Sequence, residues 1–300
     1  MNAFRNDDPG ATKIGFIGAG RLGCALAWSL AERGYRVTGV ASLLPADAER
    51  LAAPIAGCAI LAGPQALVDA CDLIFVTTPD GAIEATTGSV RWRAGVAAVH
   101  CSGVTEVAAL DSAKRDGAMT GGFHPMQTFG DPVAAARSLP GCTITIEAEE
   151  PLNGTLVAIA DRLGCPVNRL PPGMRGRYHA AAGYTSQFIN ALFGEASKIW
   201  QSWGATPEDA VRALWPLARG TLESIASAGV AGGMPGPVSR GDVGSIEKHV
   251  KALTPLGPEV MEFYRMVCDR TIPLGVQSGA IDEAAAARLR EILAPPNAAR

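Results

Sequence analysis

Gly18, Gly20 and Gly23 form a G-x-G-x-x-G spacing directly after the apolar run Lys13-Ile-Gly-Phe-Ile17 and before the helical pattern Cys24-Ala-Leu-Ala-Trp-Ser-Leu30. That context gives the spacing a mechanism. The first glycine permits a tight turn, the second lets the backbone approach a pyrophosphate, and the third lets helix and strand pack closely. The helix N-terminus then turns its free N–H groups and positive dipole end toward the phosphates. Ala19, Arg21 and Leu22 complete the expected dinucleotide cradle. Chemistry on a nicotinamide dinucleotide is hydride transfer to or from C=O or C=N, and it needs a group that protonates or polarises the reacting atom. His124 is the first candidate, because it ends an apolar strand pattern and precedes Pro125. It should therefore sit at a strand's C-terminal end, where open α/β sheets bind ligands, and a histidine works as acid or base in either direction. Ser102 closes the strand pattern before it and is a candidate partner for His124 or for substrate. His179 heads a polar set, His179, Gly183, Ser186 and Asn190, whose spacings of three and four place it on one helix face. Arg240 stands in a Gly/Pro-rich stretch with no evident partner, where a guanidinium suits a substrate carboxylate.

Each of these residues has a plainer reading. His124 can cap its own loop, Ser102 can be a turn residue before Gly103, and His179 can be a core or dimer contact. Asp80 and Asp242 both suit helix capping, and His249, beside Lys248 and Lys251, suits a solvated helix face.

The second strand pattern, Tyr35-Arg-Val-Thr-Gly-Val-Ala-Ser42, bears on which dinucleotide binds. An NAD site usually places Asp or Glu at this strand's end, and here the first acids, Asp47 and Glu49, come only after Pro45. Ser42 can donate to a 2′-phosphate, and Arg21 and Arg50 supply positive charge near it, so NADP is expected over NAD. Thr77, Thr78 and Pro79 end the fourth strand and should lie under the nicotinamide ribose.

The elements that must position these residues alternate in the first half of the chain. Strand patterns over 13–17, 36–40, 73–77, 95–101, 117–123, 142–147 and 166–170 are separated by helical ones. This predicts an α/β fold, an N-terminal Rossmann domain with a doubly wound parallel sheet over residues 1–170. Pro171-Pro172-Gly173 breaks the pattern, and residues 171–300 read as an all-α C-terminal domain for substrate binding and dimerisation. Its helices are expected over 177–203, 207–228, 241–253, 258–277 and 282–294, with a frayed tail at 295–300.

Composition narrows the function. The chain of 300 residues is 48% hydrophobic with a formal net charge of −3, which gives no basic field for nucleic acid. The expected ligand is a small molecule. Residues 1–12 lack the cationic start and apolar run of a secretory signal, and no apolar stretch reaches membrane-spanning length. The seven cysteines are scattered and form no C-x-x-C pair, so a reduced, cytoplasmic protein with neither disulfides nor a metal site is expected.

Longer motifs carry a family resemblance. Asp72-Leu-Ile-Phe-Val-Thr-Thr-Pro-Asp80, His100-Cys-Ser-Gly103, Gly122-Phe-His-Pro-Met-Gln-Thr-Phe129, Tyr178-His-Ala-Ala-Ala182 and Gly236-Pro-Val-Ser-Arg-Gly-Asp242 with Lys248-His249 together resemble one family across nearly the whole chain. It is the family of Rossmann-like NADP oxidoreductase-type proteins with a helical C-terminal domain of unknown function. More distantly the chain is similar to pyrroline-5-carboxylate reductase, ketopantoate reductase, 6-phosphogluconate dehydrogenase-like enzymes and prephenate dehydrogenase. These resemblances imply a helical domain that closes over the nicotinamide and often dimerises. His124-Pro-Met126 and Ser102 resemble prephenate dehydrogenase positions where a His binds the reacting oxygen and a Ser orients it. One departure matters: no Lys lies between Lys114 and Lys198, which removes the helix lysine that ketopantoate reductases and β-hydroxyacid dehydrogenases use. Gln187 stands where relatives tend to carry Asn. The resulting expectation is an NADP-dependent oxidoreductase, a homodimer, acting on a small carboxylic acid. The alternative is a non-catalytic dinucleotide-binding sensor or interaction protein.

Overall fold

The computed structural model describes residues 9–295, so residues 1–8, part of the stretch read as lacking a secretory signal, and residues 296–300 of the expected tail lie outside the described residues. The chain divides into two compact units that meet between Ser186 and Gln187.

The first unit is an eight-stranded sheet of order β3-β2-β1-β4-β5-β6-β7-β8. In chain order its elements are β1 (Lys13–Ile17), α1 (Arg21–Glu32), β2 (Arg36–Ala41), α2 (Pro45–Ala52), β3 (Ala59–Ile60), α3 (Pro64–Ala70) and β4 (Leu73–Val76). There follow α4 (Ile83–Gly88), β5 (Ala97–His100), α5 (Asp111–Arg115), β6 (Met119–Pro125), α6 (Pro132–Ser138), β7 (Ile144–Ala148), α7 (Leu152–Arg162), β8 (Val167–Arg169) and α8 (Arg175–Tyr184). Successive strand residues point to opposite faces, which gives the sheet two cores. Phe16, Phe75 and Phe123 pack with α1 and α7 on one face, and Ile74, Val76 and Ala98 pack with Leu67 and Ile83 on the other.

The expected doubly wound, mostly parallel α/β sheet is present, with two details that the sequence pattern did not show. The sheet is not wholly parallel, because β7 runs antiparallel to β6. The reason lies in α6, which stays against α1, with Ser29 Oγ donating to the Ala136 carbonyl at 3.4 Å, instead of crossing back over the sheet. A two-stranded edge pairing, β3 with β2, also escaped the pattern, since two residues give no periodicity to read.

The first unit ends one helix later than the Pro171-Pro172-Gly173 break. The helix expected over 177–203 is two helices, α8 and α9 (Gln187–Gln201). Ser186 Oγ donates to the Ala182 carbonyl at 2.8 Å and Thr185 Oγ1 to the same carbonyl at 3.2 Å, so side chains occupy the acceptor at the junction. The second unit continues with α10 (Pro207–Gly232), α11 (Val243–Leu253), α12 (Pro258–Gln277) and α13 (Glu283–Leu293). Thr206 and Asp209 form a reciprocal capping box at the start of α10, and the helix breaks at Gly229 (φ 76°), where the pattern predicted its end. Ile246, Ile272, Ala286 and Leu289 form this unit's core. No described helix is long and apolar enough to cross a membrane.

Candidate active site

The glycine loop is built by close approach. Gly18 has φ 96°, and a Cβ there would meet the Thr77 carbonyl at 2.9 Å; a Cβ on Gly23 would meet the Gly18 carbonyl oxygen at 2.8 Å. Thr77 tightens the turn, since its hydroxyl donates to the Gly18 carbonyl at 2.7 Å. Gly20 differs from both. Its backbone is extended and a Cβ would meet nothing within 4 Å, so the missing side chain leaves open space directly before α1.

That space belongs to a cavity of about 910 Å³ lined by residues 18–22 and 77–79 together with Ser42, Ser102 and Phe129. All the sequence-predicted cofactor residues thus share one wall, except Gly23, which is packed behind it. Two observations make the wall suitable for a dinucleotide. The N-terminus of α1 has no side-chain cap, leaving its first N–H groups for a ligand. Thr78 Oγ1 is a buried hydroxyl with no partner among the described residues. Ser42 is half-buried on this wall, and Arg21 is exposed, with one guanidinium nitrogen 3.5 Å from the Gly130 carbonyl. Arg50 is otherwise engaged: it pairs with Asp47 at 2.8 Å and donates to the Ala19 carbonyl at 3.1 Å, buttressing the loop from outside the cavity. Asp80 lines the cavity and does not cap its helical turn.

Past the cavity's Ser102 end lies a second cluster, made of side chains. On β6, Phe123 faces the apolar core, so Gly122 and His124 face the other way. The register puts His100 and Glu147 beside Gly122, and Thr145 beside His124 with Asn168 next in line. This face of β5 to β8 is polar, and α8 supplies its remaining parts. Arg175 is fully buried; its Nε donates to Glu147 at 2.8 Å and one terminal nitrogen donates to the Ser102 carbonyl at 2.8 Å. The guanidinium occupies the place of a Gly122 side chain, which any Cβ would contest. Tyr178, one turn further along α8, places its hydroxyl 2.7 Å from His124 Nδ1. His179 is exposed, its ring centroid 6.4 Å from that of His124. Gly103 is tight against both rings, since a Cβ there would stand 2.8 Å from His124 Nε2.

The electrostatics follow from this burial. Desolvation, then the neighbouring His179 and Arg175, lowers the His124 pKa to about 4, with Asp80 opposing. His100, wholly buried, is pushed down to about 3 by desolvation, then Arg175 and His124. Both rings are therefore neutral at physiological pH. The Ser102 N–H donates to His100 Nδ1 at 3.2 Å, so the His100 proton is on Nε2; neither that nitrogen nor one terminal nitrogen of Arg175 has a partner among the described residues.

Two sequence expectations change here. Ser102 is not the partner of His124: its hydroxyl bonds Thr105 Oγ1 at 2.9 Å and accepts from the N–H groups of Val104 and Thr105, closing the turn after β5. The polar set headed by His179 does not form one helix stripe, because Ser186 lies in the break and Asn190 on α9. In the second unit, Asp242 caps α11 by accepting from the Ser245 N–H at 3.0 Å, and His249 Nδ1 contacts the Tyr264 hydroxyl at 2.8 Å. Arg240 is exposed at the end of a turn whose other residues, Val238 and Ser239, are buried, and it has no ion pair among the described residues. Arg175, Glu147, His100 and Tyr178 were not among the expected site residues. The available signal was Gly121-Gly122 inside a strand pattern, which marks a close approach by another group.

Comparison with known proteins gives the class. Residues 5–125 match the model of a Rossmann-like domain, and residues 142–271 match that of a domain of unknown function, DUF2520. The chain therefore joins these two domains, as its sequence resemblance implied. Among solved structures it is similar to a Bacteroides fragilis protein provisionally described as an NADP oxidoreductase, at 23% identity and TM-score 0.67, covering 90% of this chain and 100% of that one. It is also similar to a reductive aminase from Aspergillus terreus in complex with NADPH and ethyl-5-oxohexanoate, at 18% identity and TM-score 0.62 over 92% and 98% of the two chains. A third likeness is to 1-pyrroline-5-carboxylate reductase from Streptococcus pyogenes, at 12% identity and TM-score 0.58 over 93% and 98%. At these identities the likeness establishes the shared fold. No curated protein matches the sequence.

Proposed function

We propose that this chain is an NADP-dependent oxidoreductase that moves a hydride between nicotinamide and a C=O or C=N group of a small carboxylic acid. The carrying observation is the adjacency of two built features, the open glycine cradle at Gly20 and the half-buried, hydrogen-bonded His124, which lies past Ser102 on the cavity wall. The solved neighbours that hold NADPH support the cofactor class. NADP is preferred because the end of β2 offers Ser42 in place of an acid, with Arg21 exposed nearby for a 2′-phosphate. Gly18, Ala19, Gly20, Leu22, Thr77, Thr78 and Pro79 would hold the rest of the dinucleotide, which when bound supplies or accepts the hydride.

His124 then holds the proton at the reacting atom, through Nε2, the nitrogen that Tyr178 leaves free. His179 borders the same space, and Arg240 is proposed as the ligand of the substrate carboxylate. The test is oxidation of NADPH, followed by absorbance, with a panel of small keto and imino acids. Replacing His124 by Ala should reduce turnover about 100-fold or more while leaving dinucleotide affinity intact. A mutant with full turnover removes His124 from the chemistry.

We further propose that the protein is a homodimer, with a second copy covering the helical unit. Trp203, Trp215, Leu217 and Val230 are 61%, 54%, 65% and 60% exposed, an apolar load unusual for a surface that stays in water. Sedimentation equilibrium should give twice the chain mass, and Leu217→Glu should shift the population toward monomer. A monomeric wild type at micromolar concentration contradicts this.

A further inference from the structure

His124 is the one ring whose protonation pattern decides what the site can hold, and a line of side chains across the sheet acts on it. Asn168, Thr145 and His124 are register neighbours on β8, β7 and β6, so their side chains share a face. The Asn168 amide donates to Thr145 Oγ1 at 3.1 Å. Having accepted there, the Thr145 hydroxyl has its own proton to give, and Tyr178 responds to it: burial raises the Tyr178 pKa, and the Thr145 side chain works against that rise as a hydrogen-bonding neighbour. Tyr178 in turn contacts His124 Nδ1 at 2.7 Å. Of this pair the phenol is the stronger donor and the neutral imidazole nitrogen the stronger acceptor, so Nδ1 accepts from the Tyr178 O–H.

We propose that Asn168, Thr145 and Tyr178 form a positioning chain that holds His124 as the Nε2–H tautomer, presenting a hydrogen-bond donor to the reacting atom of the substrate. Tyr178 is the positioning residue; His124 alone meets the substrate. The Nε2 side is prepared for this. It has no hydrogen-bond partner among the described residues, and Gly103 keeps the approach free of a Cβ that would lie 2.8 Å away. Burial favours the neutral ring, as do His179 on α8 and Arg175, with Asp80 pulling the other way.

The consequence for substrate rests on the oxidoreductase reading. A neutral Nε2–H suits a carbonyl oxygen, which accepts, and does not suit a protonated iminium, which has no lone pair to offer. A neutral histidine can polarise a carbonyl without first becoming an imidazolium. A proton released at Nε2 is replaced at Nδ1 from the Tyr178 hydroxyl, and the phenolate left behind regains its proton from water, so charge is balanced.

The test uses the full chain without cofactor or substrate, so it stands apart from whether the protein reduces anything. Long-range proton–nitrogen correlation spectra of protein carrying labelled histidine would resolve the four rings, with His124 assigned by its loss in His124→Gln. The expected result is a bare Nδ1 and a protonated Nε2 at neutral pH, unchanged to about pH 5. Tyr178→Phe should produce a mixture of tautomers, and Thr145→Val a smaller shift in the same direction. An Nδ1–H tautomer, an imidazolium at neutral pH, or a Tyr178→Phe spectrum identical to wild type would overturn the proposal. Failure of dinucleotide binding with these spectra as expected would instead count against the enzyme reading alone.

Discussion

The glycine-lined cavity and the side-chain cluster beyond it are made in opposite ways. At the glycine loop the site consists of absent side chains: backbone N–H groups at the start of α1, a turn held by Thr77, and open space where Gly20 has no Cβ. In the cluster around His124 it consists of side chains taken out of water, with Arg175 and His100 fully buried. The first arrangement costs little, because a helix N-terminus already has unsatisfied donors that suit an anion. The second carries the desolvation of a cation, compensated by Glu147 and the Ser102 carbonyl but incompletely, since one Arg175 nitrogen and His100 Nε2 have no partner among the described residues. The lesson is that binding of phosphates and control of a proton place different demands on one sheet edge. A rigid backbone serves the former and a dehydrated polar network the latter.

This contrast predicts unequal sensitivity to substitution. The largest effect should come from Arg175→Ala or Glu147→Ala, each of which leaves a buried charge uncompensated, costing roughly 3–5 kcal/mol by urea unfolding. A loss under about 1 kcal/mol would show that the cluster is more hydrated than its burial indicates. Gly122→Ala should be comparably harmful, because Arg175 is pinned at both ends and has nowhere to retreat.

Next in size, counted per group, is the response to acid. His100 and His124 have folded pKa values of about 3 and about 4, below the unfolded value near 6.5, so the unfolded chain binds more protons between these limits. Their neutral burial is without penalty above pH 6.5, and stability should fall as pH drops from 6.5 toward 4, by roughly 5 kcal/mol in total. His100→Asn, which can still accept from the Ser102 N–H, should flatten that slope. An unchanged slope would place the acid sensitivity elsewhere.

Smallest in stability, and most informative about the loop, is the pair Gly18→Ala and Gly20→Ala. The former forces a positive φ on a side chain 2.9 Å from backbone and should cost about 1–3 kcal/mol. The latter enters open space and should leave the melting temperature nearly unchanged. Equal losses in both would mean that Gly20 is structural.

The same contrast explains what could be read from the chain. The glycine loop is local: three positions, one strand and one helix carry its geometry, so residues 18–23 and 77–79 were legible in the sequence. His124 was legible too, from its place at a strand end. Its partners were not, because Tyr178, Thr145 and Asn168 come from three separate elements and meet only through sheet register. Arg175 fell before the expected start of its helix at residue 177, and a buried arginine is rare enough that sequence patterns assign it to the surface. The antiparallel β7 was hidden for a related reason, since alternation shows that a strand exists and not which way it runs.

The most direct test of the central claim is thermal unfolding of the wild type and Gly20→Ala with NADP, NADPH, NAD and NADH in turn. The account predicts stabilisation of the wild type, larger with the phosphorylated dinucleotides, and at least a tenfold weaker response in Gly20→Ala despite an unaltered melting temperature without ligand. No shift of the wild type with any dinucleotide would contradict it.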